Sequence, residues 1–173
     1  MDHDGTAPLI VTALLPAALH SRFTALRRAH FPPERNWLDA HVTLFHALPP
    51  SARDEVTGVL KRLACDTAPI PATVAGVMSL GRGTAIRISS PAMLALRGDI
   101  AAHFHGALSA QDSHPPRLHV TIQNKVTPTE AKALQHALEG SVSQEPFAFR
   151  GLGLHAYRGG PWEHLGEYPF RRG

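Results

Sequence analysis

The sequence contains two copies of a histidine-valine-threonine segment, His41–Leu44 and His119–Ile122, one in each half of the chain. Successive side chains of a β-strand point to opposite faces. Each copy therefore predicts a strand that presents an imidazole and a hydroxyl on one face and buries aliphatic side chains on the other. Because imidazoles titrate near neutral pH, one of two facing histidines can accept a proton while the other donates one. The repeated segment predicts a paired-histidine site for acid–base chemistry.

The two threonines add an anion-binding element to this site. Thr43 and Thr121 each follow a histidine by two positions and could donate hydrogen bonds to the oxygens of a bound anion. A phosphodiester fits the arrangement, because one imidazole would deprotonate a water or ribose hydroxyl and the other would protonate the departing oxygen. Duplication of an ancestral structural histidine is the alternative explanation. We favour catalysis, since folding alone seldom requires histidine at both equivalent positions.

Residues on either side of the motifs are further candidates, because they share the predicted face of the histidines. Phe45 could stack on a base and Gln123 could donate a hydrogen bond to the substrate. Arg117 could bind phosphate, and Asp39 could orient a histidine. The structural alternatives are a core phenylalanine, a glutamine at the rim, and two solvated loop residues.

One end of the site could be lined by residues that follow the last predicted strand of the second half, namely Arg150, Tyr157 and Arg158. We take Tyr157 as a candidate substrate contact, with solvent-facing hairpin residues as the alternative. A metal site made from the motif histidines and His114 is the less favoured interpretation.

The elements around the motifs also repeat. The halves 8–82 and 83–155 are each predicted as strand, helix, motif strand, helix and strand, with prolines near the element boundaries, and 156–170 as a closing hairpin. Such a repeat predicts a single bilobal α+β domain. Its two pseudo-symmetric lobes would consist of mainly antiparallel sheet with outer helices around a central cleft.

Composition excludes several other classes of protein. Hydrophobic residues make up 43% and charged residues 18% of the 173 positions, a normal balance for a globular domain. No apolar run approaches the roughly 20 residues that span a bilayer, and the start lacks the features of a signal peptide, so we expect a cytoplasmic protein. The single cysteine, Cys65, excludes an internal disulfide and is expected to be buried. Neither a dinucleotide fingerprint nor a phosphate-binding loop is present.

The two His-x-Thr-x segments resemble the signature of the two-histidine phosphoesterase superfamily, and in particular its branch of RNA ligases and cyclic phosphodiesterases. The resemblance extends over nearly the whole chain. It includes the proline-rich approach to each motif and the segments Leu44-Phe45-His46-Ala47-Leu48-Pro49, Gln123-Asn124-Lys125 and Gly160-Pro161-Trp162. It implies a bilobal α+β fold with both motifs in a central cleft, and a catalytic set of His41, Thr43, His119 and Thr121.

The resemblance also implies an activity: metal-independent opening of 2',3'-cyclic phosphates or 2'-5' linkages, with reverse ligation possible and no cofactor. Expected partners are RNA ends or small nucleotides with a cyclic phosphate. We expect a monomer that does not associate with a membrane and that has no obligate protein partner. A non-catalytic protein that binds RNA ends or nucleotides is the main alternative. The sequence does not identify the general base, because the two directions of the reaction exchange the roles of the histidines.

Overall fold

Eight strands form two separate four-stranded antiparallel sheets in the computed structural model, which describes residues 6–171. The strands are β1 (Leu9–Leu14), β2 (Val42–Leu48), β3 (Ile70–Ser79), β4 (Thr84–Ser89), β5 (His119–Gln123), β6 (Glu145–Phe149), β7 (Gly151–Tyr157) and β8 (Trp162–Pro169). The helices are α1 (Ala17–His30), α2 (Arg53–Cys65), α3 (Pro91–His103) and α4 (Pro128–Glu139). This architecture confirms the predicted α+β class.

The strand order places each motif at the edge of a sheet. The first sheet has the order β2-β1-β7-β8 and the second has the order β5-β4-β3-β6. The first motif strand, β2, and the second, β5, are therefore the outer strands of different sheets. No backbone ladder joins β2 to β5 within the described residues, so other contacts must set their spacing.

The two sheets do not coincide with the sequence halves 8–82 and 83–155. Strand β3 lies in the second sheet because a tight turn, with Gly81 at φ +83°, joins it to its antiparallel partner β4. Strand β7 lies in the first sheet because it pairs with β1 along the whole of β1. The order of elements repeats between the two halves of the sequence. Long-range strand pairing determines which sheet each strand joins.

The predicted buried face of each motif strand is confirmed. Val42, Leu44, Val120 and Ile122 are all 0% exposed. Helix α2 packs on β7 and β8, helices α3 and α4 pack on β3, and α1 packs on β5 of the second sheet. Full burial of such aliphatic side chains contributes roughly 1.5–3 kcal/mol each to folding. The aliphatic side chains of both motif strands are thus held in the core, whereas His41 and His119 are partly exposed.

Prolines lie at the starts of two helices, as expected for prolines near element boundaries, whereas the cysteine prediction is wrong. Helices α3 and α4 begin at Pro91 and Pro128, and a capping box formed by Thr127 and Glu130 closes the start of α4. Cys65 is exposed rather than buried, because it ends α2 one position after Ala64, which faces the core. None of the helices in residues 6–171 has the length and apolar character needed to cross a membrane.

Candidate active site

The two motif histidines are oriented by equivalent hydrogen bonds. Nδ1 of His41 lies 2.8 Å from the carbonyl oxygen of Asp39, and Nδ1 of His119 lies 2.6 Å from the carbonyl oxygen of Arg117. Because a carbonyl oxygen can only accept, Nδ1 donates in both cases and Nε2 is left free. Both imidazoles therefore direct Nδ1 to the backbone and leave Nε2 for proton transfer.

Residues from opposite sheets meet at this site. Thr43 and His119 line a common cavity of about 270 Å³. The charge of His119 lowers the pKa of His41, and the Thr121 carbonyl accepts a hydrogen bond from Arg27 of the helix that precedes the first motif. All four motif side chains are half-buried, whereas the aliphatic residues between them are fully buried. The structure thus places Thr43 and His119, from different sheets, on one cavity, with His41 near enough for the charge of His119 to act on its imidazole.

His41 is held in its neutral form. Burial lowers the pKa of its imidazole to about 4, and the positive charges of Arg27, His155 and His119 act in the same direction. The hydrogen bond to the Asp39 carbonyl opposes this shift without reversing it. At neutral pH His41 therefore presents a lone pair on Nε2 and is equipped to accept a proton.

The cleft beside His41 is lined by aromatic and imidazole rings. The ring centroids of His41 and Trp162 are 4.6 Å apart, and those of Trp162 and His155 are 5.3 Å apart. These three residues and Trp37 line a cavity of about 310 Å³. Burial lowers the pKa of His155 to about 4, the charge of His164 adds to the shift, and that of Glu167 opposes it. This side of the cleft combines flat ring surfaces with the charged side chains of Asp39, Arg150 and Glu167.

Gly153 keeps the base of that cavity free of a side chain. A Cβ atom at this position would lie 2.6 Å from Oγ1 of Thr12 and 3.1 Å from Nε2 of His155. Thr12 and His155 are themselves 3.3 Å apart at these atoms. Any residue larger than glycine would therefore displace one member of this polar pair.

Two exposed arginines lie near His119 on the second sheet. Arg87 of β4 pairs directly with His119, and opposite residues of an antiparallel ladder share a face. Arg87 and Arg117 are exposed and line a cavity of about 360 Å³. Neither guanidinium forms an ion pair within the described part of the chain. Sequence reasoning missed Arg87, although its alternation with buried Ile86 and Ile88 already indicated an outward-facing side chain.

A β-bulge in the first motif strand makes the prediction for Phe45 wrong. Thr43 and Phe45 pair with consecutive residues of β1, so Leu44 is an extra residue in the ladder. The bulge turns both Leu44 and Phe45 toward the core, where Phe45 is 0% exposed. The guanidinium of Arg97 lies 4.1 Å from the centroid of the Phe45 ring. No face of this ring is available for a nucleobase.

The second motif strand carries the equivalent bulge, and the prediction for Gln123 fails for the same reason. Thr121 and Gln123 pair with consecutive residues of β4, so Ile122 is the extra residue. Gln123 is 6% exposed, and its Oε1 accepts a hydrogen bond of 3.1 Å from Oγ1 of Thr84. Its amide serves the core rather than a ligand.

The bulges also bring an unexpected histidine to the site. A regular strand would direct His46 away from the cleft, but it lines the same cavity as Thr43 and His119, together with His114. Nδ1 of His46 lies 3.3 Å from Oδ1 of the buried Asp112. A uniform alternation could not have predicted this position.

The remaining predicted residues have mixed placements. The carboxylate of Asp39 lies 3.7 Å from Nε2 of His20, and it is the Asp39 carbonyl that orients His41. Tyr157 is exposed and lines neither of the two cavities beside the histidines. Arg150 pairs with Glu167 at 3.4 Å, and Arg158 pairs with Glu163. Of these residues, Asp39 and Arg150 line the cavity beside His41.

The described residues contain no cluster of metal ligands. Between positions 6 and 171 no three His, Cys, Asp or Glu side chains are close enough to hold a metal ion. The alternative site made of His41, His119 and His114 is therefore not assembled as a ligand set.

The chain is similar to known proteins over most of its length. The model of the 2'-5' RNA ligase superfamily matches residues 15–161. Among solved structures, TT0787 of Thermus thermophilus is similar over 95% of this chain and 98% of its own, with a TM-score of 0.64 and 16% identity. Escherichia coli LigT complexed with 3'-AMP is similar over 96% of this chain and 99% of its own, with a TM-score of 0.57 and 18% identity. Among curated proteins, none matches significantly.

Proposed function

Since the chain belongs to the 2'-5' RNA ligase superfamily, we propose that it opens 2',3'-cyclic phosphates, or related 2'-5' linkages, of RNA ends or nucleotides. The observation that carries this proposal is the equivalence of the motif histidines. Each donates Nδ1–H to the carbonyl two residues earlier, and each has a threonine two residues later. This arrangement supports a two-histidine phosphoesterase mechanism.

In the proposed hydrolysis His41 is the general base. Nε2 of His41 takes a proton from water, and the water oxygen forms a new bond to phosphorus. The bond between phosphorus and one ribose oxygen breaks, and that oxygen takes a proton from Nε2 of protonated His119. Thr43 and Thr121 donate hydrogen bonds to the non-bridging oxygens as their charge increases. The low pKa of His41 keeps its imidazole in the neutral form that can accept a proton at neutral pH, although it also makes the imidazole a weaker base.

The same residues can act in the ligation direction. A 5'-hydroxyl would replace water as the nucleophile, and the energy of the cyclic phosphate would be used in the new linkage. No nucleoside triphosphate is required for this step. The roles of His41 and His119 are exchanged in the reverse of each reaction.

The unequal sides of the cleft support a nucleotide substrate. Trp37 and Trp162 provide flat surfaces on the His41 side, and bases stack on aromatic rings. Arg87, opposite His119 in the ladder, and Arg117, which lines the same cavity as His119, provide positive charge to which further phosphates would bind. The ligands named for E. coli LigT, which include NADP+ and 3'-AMP, agree with a nucleotide class of ligand.

The test is hydrolysis of 2',3'-cyclic nucleotides, and of oligonucleotides ending in a cyclic phosphate, in the presence of EDTA. We expect turnover in the wild-type protein and a loss of about 10²–10⁴-fold in both His41→Ala and His119→Ala. His136→Ala, which changes an exposed histidine of α4, is the matched control and should be fully active.

Two outcomes would overturn the proposal. Activity that is untouched by both motif substitutions would show that another site is responsible. Salt-sensitive binding of these ligands with no turnover of any of them would identify a binding protein instead.

A further inference from the structure

Two buried arginines contact the backbone of the motif strands. Arg27 of α1 is 3% exposed and Arg97 of α3 is 4% exposed. Burial lowers the pKa of Arg27 to about 10, so its guanidinium remains charged at neutral pH. A buried charge is tolerated only when its donors are satisfied. The fold therefore depends on the hydrogen bonds that these two guanidinium groups donate to their partners.

Arg27 joins the second motif strand to the loop that enters the first motif. Its Nη1 donates to the carbonyl of Thr121 in β5 at 2.8 Å, and its Nε donates to the carbonyl of Leu38 at 3.1 Å. Nη2 donates to Oδ1 of Asn36 in the same loop at 3.1 Å. The loop leads directly into His41.

Arg97 makes the reciprocal connection. Its Nε donates to the carbonyl of Leu44 in β2 at 3.1 Å, and its Nη2 donates to the carbonyl of Asp112 at 2.6 Å. Asp112 lies in the loop that leads into His119. The Asp112 carboxylate also accepts hydrogen bonds from the backbone N–H groups of His46 and Ala47 in β2, at 2.8 and 2.9 Å.

We propose that Arg27 and Arg97 are positioning residues that set the separation of His41 and His119, each joining one motif strand to the loop entering the opposite motif. This inference rests on the proposed function. Strands β2 and β5 belong to different sheets, so these side-chain bridges span a gap that no ladder spans. Positioning matters because a misplacement of about 1 Å can cost about 10²-fold in rate.

The planar fork of arginine is what allows this bridge. A guanidinium presents several donors in fixed directions, so one group can hold two carbonyls from different segments. A lysine keeps the charge but concentrates its donors at one nitrogen. A lysine in place of either arginine should therefore keep the positive charge but should not make the full set of hydrogen bonds.

The test compares Arg27→Met, Arg97→Met, Arg27→Lys and Arg97→Lys, with Arg22→Met as the control. Arg22 is an exposed residue of α1 paired with Glu145. With a cyclic-phosphate substrate we expect kcat to fall about 10–100-fold in both methionine variants while KM changes less than about threefold. The lysine variants should be intermediate, and the control should match the wild type.

Hydrogen exchange provides a readout that does not depend on turnover. We expect faster amide exchange confined to 36–48 and 112–123 in the methionine variants, with the β7–β8 hairpin unchanged. Loss of the Arg27 charge should also raise the pKa of His41, measured by NMR, whereas Arg97→Met should leave it in place.

The inference is overturned if folded Arg27→Met and Arg97→Met keep kcat within about threefold of the wild type, or if exchange rises uniformly along the chain. If a methionine variant does not fold, the lysine variant decides by the same two measurements. If the wild-type protein turns over no substrate, the proposed function fails, and localised exchange still supports the two bridges while uniform exchange rejects them.

Discussion

The indole of Trp162, in the closing hairpin, packs on the imidazole of His41, with ring centroids 4.6 Å apart and planes tilted by 58°. The two residues lie far apart in sequence: His41 immediately precedes β2, and Trp162 begins β8. This contact helps to exclude water from the first motif histidine, and burial is the main cause of its low pKa. The last hairpin of the chain thus affects the chemistry of a residue near its beginning.

Replacing Trp162 with alanine should raise the pKa of His41 from about 4 toward the ordinary value near 6.5, because water would reach the imidazole. The acid limb of the pH–kcat/KM profile should move upward with it. NMR titration of the imidazole measures the pKa directly. Trp37→Ala, which changes an exposed tryptophan of the same cavity, should leave it near 4. An unchanged pKa in Trp162→Ala would contradict this account of the shift.

The protein should become less stable as the pH falls from about 6.5 to about 4. His41 and His155 each have a folded-state pKa of about 4, below the unfolded value near 6.5. Between these values the unfolded chain binds more protons, so acidification lowers the free energy of unfolding, whereas the contribution is complete above about pH 6.5. Urea titrations of the wild type and His155→Gln across this range measure the slope. It should be smaller in His155→Gln, and His136→Gln should retain the wild-type slope.

Asp112→Asn should destabilise the fold by about 1–3 kcal/mol. Burial alone would raise the pKa of this carboxyl, but the hydrogen bonds from His46 and Ala47 lower it overall. Both carboxylate oxygens accept backbone N–H groups of β2, and an asparagine would set its NH₂ group against one of those donors. Urea unfolding checks the change, with Asp99→Asn on the exposed side of α3 as the control. Equal stability of Asp112→Asn and the wild type would show that this contact is dispensable.

Arg87→Gln should weaken binding of oligonucleotides more than binding of mononucleotides. Arg87 is opposite His119 in the β4–β5 ladder and is exposed, so it could contact phosphates beyond the reacting one. We expect KM to rise about tenfold for an oligonucleotide with a terminal cyclic phosphate, and the salt dependence of binding to decrease by about one ion. For a cyclic mononucleotide KM should change little. The control is Arg62→Gln on α2, a helix that packs on the first sheet. An equal rise in KM for both substrates in Arg87→Gln would argue against an extended site.

Local patterns predicted the elements that carry the site. The alternation of His41, Val42, Thr43 and Leu44 placed the polar pair on one face and the aliphatic pair in the core, and the second motif follows the same pattern. Prolines identified where α3 and α4 begin. These features depend on residues that are close in sequence, so they can be predicted from a single amino-acid sequence.

What the sequence did not predict depends on long-range contacts. The bulges at Leu44 and Ile122 arise from pairing with β1 and β4, and no residue within either motif strand indicates them. The assignment of Phe45 and Gln123 to the cleft failed because an extra residue in a strand reverses the alternation after it. The bridges from Arg27 and Arg97 were not predicted either, since their partners are carbonyls in distant segments.

The central claim is that the two motifs form one phosphate-binding site. A crystal structure of the wild-type protein with inorganic phosphate tests it most directly. We predict a phosphate within hydrogen-bond distance of Nε2 of both His41 and His119 and of Oγ1 of both Thr43 and Thr121. Phosphate bound only at Arg87 and Arg117, with the two Nε2 atoms too far apart to contact one anion, would contradict the account.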